Sequence, residues 1–178
     1  MSEGVTQTGN TAANDIVGRD KITYSGNPSP ISNLLEQFIS GDKTVDTIHE
    51  ELEYFRKRIN SDIKGLDGKL KEPKYSKKTL SNAKIAKEKY VKNLERHIHS
   101  ESAQKIHIHL LSDAFSKFNN LITPNIENLS EGEVLEKVEK EIVVHIMELM
   151  SKNVLDFNNL TATGVVFFLT GNCHLEWE

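Results

Sequence analysis

The chain has 178 residues, 37% hydrophobic and 27% charged, with one cysteine and a formal charge of −4. These proportions fit one globular domain with a short extension. They exclude an internal disulfide framework, a bilayer span of roughly 20 apolar residues and a secretory leader, so a cytoplasmic protein in a reducing compartment is expected. The net charge conceals a polarity: residues 56–96 carry fourteen basic against five acidic side chains, while residues 1–55 sum to −6 and residues 125–178 to −7.

Residues 1–29 are rich in Gly, Asn, Thr and Ser and end in Gly26-Asn-Pro-Ser-Pro30. They read as a flexible extension, with β-branched residues on both sides of Gly18 able to form a short strand when a partner is present. From Pro30 the pattern becomes helical, and residues 30–178 form the expected helical interaction domain. Ile31, Leu34, Leu35, Phe38 and Ile39 share one face that Gly41 ends. A second helix, from Asp46 to about Ile63, carries Ile48, Leu52, Phe55 and Ile59, and Gly65, Gly68 and Pro73 then mark a basic loop.

No Pro or Gly interrupts the chain between Pro73 and Pro124. The hydrophobic phase nonetheless divides it: Leu80, Ala83, Tyr90, Val91, Leu94 and Ile98 lie nearly opposite Ala103, Ile106, Leu110, Ala114, Phe118 and Leu121. A straight helix cannot bury both sets against one partner, so a break falls at Ser100-Glu-Ser102, where a serine caps the next helix. Ser130-Glu-Gly-Glu133 then reads as a capped N-terminus with favourably placed acids. Val134, Leu135, Val138, Ile142, Ile146 and Leu149 continue that helix. Val143, Val144 and Met147 broaden its face, which places it between two neighbours.

The densest apolar run, Gly164-Val-Val-Phe-Phe-Leu-Thr-Gly-Asn-Cys-His-Leu-Glu-Trp177, ends on the single Cys and single Trp. Burial of such side chains is worth roughly 1.5–3 kcal/mol each, so this end is a docked part of the core. Helix is favoured over strand, because no sheet is available to receive a strand. The fold class is therefore mainly α: a helical bundle with a flexible N-terminal extension and a buried apolar C-terminal segment.

Three constellations bear on chemistry. His97, His99, His107 and His109 alternate, but residues two apart on a helix diverge by about 200°, so no metal site is expected; His107 packs in the apolar stripe and the others are solvated. Cys173-His174 has the residue types of a thiol nucleophile and its base, yet neighbours in sequence point apart and a functional pair needs a distant imidazole such as His145. No catalytic residue and no cofactor is assigned. Lys74, Lys77, Lys78, Lys84, Lys87, Lys89, Lys92 and Arg96, with Tyr75 and Tyr90 interleaved, outline a basic helix that could attract phosphates, against the plainer reading of a solvated face.

The Gly164–Trp177 run resembles the closing motif of C-terminal domains in bacterial ABC-three-component conflict systems, related to Lamassu anti-phage defence. Gly9-Asn-Thr-Ala-Ala-Asn-Asp-Ile-Val-Gly-Arg-Asp-Lys21 resembles a short motif at the head of bacterial conflict proteins. The resemblance implies a mostly helical docking domain beside an SMC-like ABC ATPase and an effector subunit, with DNA recognition upstream of the effector. Gly164, Phe168, Gly171, Cys173, His174 and Trp177 would be its structural anchors. Such domains are usually fused to an effector. A short extension in that place leads to the expectation of a non-catalytic adaptor or middle component, with nucleic-acid binding through residues 74–96 as the alternative.

Overall fold

The computed structural model describes residues 30–59, 65–71, 73–150 and 154–177. The expected flexible extension, the Gly9–Lys21 motif and the end of the expected second helix lie outside the described residues. The described residues are mainly helical and hold no β-strand, only an isolated bridge between Thr44 and Ser100.

Helix α1 (Pro30–Gly41) buries Ile31 and Leu35 and half-buries Leu34 and Phe38. Ile39 instead points to solvent at 61% exposure, because the helix turns out of the core just before Gly41 takes φ +102°. Helix α2 (Glu50–Arg56) is shorter than its periodicity implies. It starts at His49, whose Nδ1 accepts the Glu51 N–H, and ends before Ile59, which is 55% exposed. The expected loop contains a further short helix, α3 (Gly65–Lys69).

Two long helices follow, α4 (Lys77–Arg96) and α5 (Glu101–Lys117), broken where the hydrophobic phase reverses. Ser100 caps α5 by accepting the Ala103 N–H at 3.0 Å. The break is also clamped from outside. Asp42 accepts from the Ser100 hydroxyl and the Ser102 N–H, and Val45 N–H donates to the His99 carbonyl at 2.8 Å. Buried Gln104 accepts the His49 N–H at 2.6 Å and donates to the carbonyls of Thr47 and Ile98. The segment between α1 and α2 is thereby tied to the α4–α5 corner.

Beyond Lys117 the helix widens into a π-turn, Phe118–Ile122, and tightens into a 3-10 turn, Thr123–Asn128. A π-turn adds one residue to the turn and rotates the following side chains. Ile122 therefore becomes fully buried, and Leu121, expected in the core, is 43% exposed. Helix α6 (Glu131–Val138) begins with the expected capping box between Ser130 and Glu133. It passes through a second π-turn, Glu139–Val143, into α7 (Val144–Leu149). This π-turn brings both Ile142 and Val143 inward against α5 and helix α8 (Asn159–Gly171), but turns Val144 outward.

The final helix α8 is capped by Asn158, which accepts the Thr161 N–H at 3.0 Å, and is buried around nearly its whole circumference. Its most extensive neighbour is α4. The two backbones approach so closely that a Cβ on Gly164 would lie 2.2 Å from the Ala86 carbonyl oxygen and 2.7 Å from Tyr90 Cβ. Ala83 and Ala86 on α4 keep the facing surface low. Since that oxygen belongs to a helical backbone, it cannot yield as a side-chain end would. Gly164→Ala should therefore destabilise the fold by about 1–3 kcal/mol or more, read as a lower urea midpoint, whereas Thr163→Ala one residue earlier on the more open side should stay within roughly 0.5 kcal/mol.

Candidate functional site

The end of α8 forms a closed corner with the residues that follow it. Cys173 adopts φ +66°, with its N–H donating to the Thr170 carbonyl and the His174 N–H donating to the Leu169 carbonyl. This pair of bonds defines a Schellman ending in which Cys occupies the left-handed position usually taken by Gly. The turn drives the chain back across the bundle. Asn172 Nδ2 and His174 Nε2 both donate to the Phe55 carbonyl, at 3.0 and 3.1 Å. Lys69, only 4% exposed, donates to the Leu175 carbonyl at 2.6 Å and pairs with Glu176 at 2.8 Å.

Trp177 is fully buried, stacked on Phe167 and packed against Tyr75 and Phe118. Its Nε1–H donates to Thr170 Oγ1 at 2.8 Å, and its carbonyl accepts the Tyr75 hydroxyl at 3.1 Å. Every polar group that the aromatic side chain carries inward is thus matched. Gly164, Phe168, Gly171, Cys173, His174 and Trp177 are all buried, on α8 or its return segment. Trp177→Ala should cost about 3–5 kcal/mol, while Trp177→Phe, which keeps most of the ring packing but leaves Thr170 without its donor, should cost less; chemical denaturation measures both.

The histidines do not converge. His107, on α5, is fully buried with Nδ1 at 3.1 Å from the Tyr90 hydroxyl, and its ring meets Tyr90 and Phe157. His97 is half-buried and not solvated: its Nδ1–H donates to the Asn93 carbonyl and its ring meets Phe38 edge-on. His99 and His109 are exposed. Among the described residues no group of three or more His, Cys, Asp or Glu is placed to hold a metal ion. His145 pairs with Asp113 at 3.1 Å, and the His174 ring faces Tyr54 and Phe55.

Burial drives the His107 pKa down to about 3, and burial also lowers that of His174. His107 is therefore neutral in the fold but takes a proton near 6.5 once the chain unfolds. Above that pH the group has no effect on stability. Below it the unfolded state binds the extra proton, so the folding equilibrium weakens by up to roughly tenfold per pH unit as pH falls toward 3. Urea midpoints between pH 7 and 5 should fall with pH, and His107→Gln should flatten that slope while retaining a partner for Tyr90.

The basic helix is partly neutralised within the chain. Lys74 donates to the Ile126 carbonyl, Lys84 pairs with Asp67, Lys92 with Glu88, and Arg96 with Asp156 at 3.0 Å. Lys87 is half-buried, whereas Lys77, Lys78 and Lys89 are exposed. Tyr75 and Tyr90 are buried, so neither is available to stack on a base. The expected interleaving of tyrosine with lysine fails because both rings belong to the core face. Lys69, Gln104 and Asp42 escaped sequence reading. A lone Gln on the apolar stripe of α5 was the one legible sign, since buried amides need partners.

The chain matches C-terminal domain 9 of the ABC-three component (ABC-3C) systems over residues 65–177. The match covers more than half of the chain, from the start of α3 to the buried Trp177, and the chain belongs to this family. It is thus a domain of an ABC-3C system, whose partners lie within the same system. No curated protein and no solved structure matches it. Among the described residues no helix is long and apolar enough to cross a membrane.

Proposed function

We propose that this chain is a non-catalytic adaptor or middle component of a bacterial anti-phage defence complex related to Lamassu, docking in the cytoplasm with an SMC-like ABC ATPase and an effector subunit. The observation that carries this reading is the family match, which ends on the buried segment from Gly164 to Trp177. Its anchors hold the bundle and leave charged faces outward: Lys77, Lys78 and Lys89 on α4, and Glu133, Glu136 and Glu139 on and just after α6. Exposed clusters of opposite charge steer an ordered assembly and disfavour wrong registers.

A second reading is nucleic-acid binding through the Lys74–Arg96 helix. The three exposed lysines favour it, while the ion pairs of Lys84, Lys92 and Arg96 reduce the charge available. Co-expression with the other components of its system tests the first reading. The chain should elute with the ATPase, and replacement of Lys77, Lys78 and Lys89 by Glu should weaken that association at least about tenfold. Elution as a lone monomer would sink the adaptor reading. DNA affinity that falls steeply with salt and is lost in the same triple variant, with assembly intact, would favour the second.

A further inference from the structure

Two exposed helical stripes carry opposite charge. On α4, Lys78, Ser81, Ile85 and Lys89 recur at intervals of three and four residues, the spacing that keeps side chains on one face of a helix, and all four are exposed. On α6, the π-turn after it and α7, Glu136, Lys140, Val144 and Glu148 recur at intervals of four and are exposed as well. The π-turn keeps this second stripe on one line, since it is the turn that brings Val144 outward. Lys78, Lys89, Glu136, Lys140 and Glu148 enter no ion pair among the described residues, so their charge is open to a partner.

A lone exposed aliphatic residue is ordinary on a protein surface. Here Ile85, 54% exposed, and Val144, 44% exposed, each sit in the middle of a charged stripe. With the two stripes laid parallel and Ile85 set on Val144, Lys89 stands opposite Glu148, each four residues beyond the apolar pair. Lys78 stands opposite Glu136, seven and eight residues before that pair. Ser81, four residues before Ile85, falls opposite Lys140, so the one cation of the acidic stripe meets a hydroxyl. The antiparallel arrangement sets Lys89 against Lys140, which repels. Length agrees too: α4 has 20 residues and α6 to α7 runs from Glu131 to Leu149, so both extend about 30 Å at about 1.5 Å per residue.

We propose that α4 of one copy docks along α6 and α7 of a second copy of this chain, in the parallel register that closes Ile85 on Val144. A second copy is the occupant because one sequence supplies both stripes, with matching spacing and opposed charge. Since the stripes differ, two copies either exchange them reciprocally or each passes one on to the next. The aliphatic stems of Lys78 and Lys89 widen the apolar contact while their ammonium ends reach the glutamates. Ion pairs at such a surface add little each and are screened, so the association is modest and weakens with salt. Self-association does not depend on the docking role. Lys78 and Lys89 are among the lysines assigned there to the ATPase, so a bound ATPase and a second copy would compete for α4.

Sedimentation velocity of the full chain at low salt, from micromolar to submillimolar concentration, tests this contact. The expected result is a mass that rises above that of the monomer with concentration and falls back as salt is added. Ile85→Glu, Lys89→Glu and Glu148→Lys should each weaken association at least about tenfold, whereas Lys77→Gln, on α4 but off the stripe, should leave it within about twofold. Lys89→Glu and Glu148→Lys combined in one chain restore the opposed pair, so association should return to within about threefold of the wild type. The combined variant also separates a broken contact from a damaged fold, because misfolding in either single variant would persist in the pair. A monomer at every concentration would overturn self-association, as would association untouched by Ile85→Glu or a combined variant no better than its two parents. Each of these outcomes leaves the adaptor reading standing, since that is read from co-elution with the other components.

Discussion

The backbone-to-backbone contact of α8 with α4 sets the terms for the rest of the molecule. Because Gly164 has no Cβ, α8 lies directly on the Ala86 carbonyl, with Ala83 and Ala86 keeping the opposing surface flat. Close approach of this kind lets the bulky residues of α8 reach outward in all other directions. Val165, Val166, Phe167, Phe168 and Leu169 are buried against α3, α4, α5, α7 and the return segment. A helix buried on every side has no polar face to orient it, so the glycine contact and its capped ends define its placement.

From that helix the chain doubles back through the left-handed turn at Cys173 and ends with Trp177 in an aromatic nest. The return segment carries its peptide groups and the polar side chains of Asn172 and His174 against the bundle, an arrangement that is stable only when those groups are matched. Lys69 and Tyr75 donate to the Leu175 and Trp177 carbonyls, and the segment's own Asn172 and His174 side chains donate to the Phe55 carbonyl. Cys173 and His174 thus serve geometry: one holds an unusual backbone conformation, and the other bridges to the Phe55 carbonyl. The aromatic rings of Tyr75, Phe118 and Phe167 meet Trp177 from three sides, which joins α8 to the start of α4 and the end of α5.

Charge is distributed by the same packing. The basic centre of the sequence meets its acidic C-terminal flank at Arg96–Asp156 and Lys69–Glu176, while Lys84–Asp67 and Arg56–Glu95 pair within the centre itself. The exposed pairs among them contribute little stability, with a median near about 0–1 kcal/mol. Their larger effect is to select which cations remain outward, namely Lys77, Lys78 and Lys89, and to leave Lys87 half-buried beside Arg58. Local charge surplus, and not net charge, is what any partner meets.

How much of this was legible in the sequence depends on how local the cause is. The reversal of hydrophobic phase at Ser100, the capping box at Ser130 and the apolar run closing on Trp177 are each written within a few turns of helix, and they determined the helical fold, the α4–α5 corner and the buried end. The two π-turns were not legible, because one extra residue in a turn is stabilised by packing on both sides, and this moved Leu121 and Val144 outward. Tertiary structure alone decided which lysines are neutralised, that Tyr75 and Tyr90 face inward, and that Gly65 and Gly171 make room for the ends of Arg58 and Lys87. Those outcomes join residues up to about a hundred positions apart, and no periodicity along the chain records such a meeting.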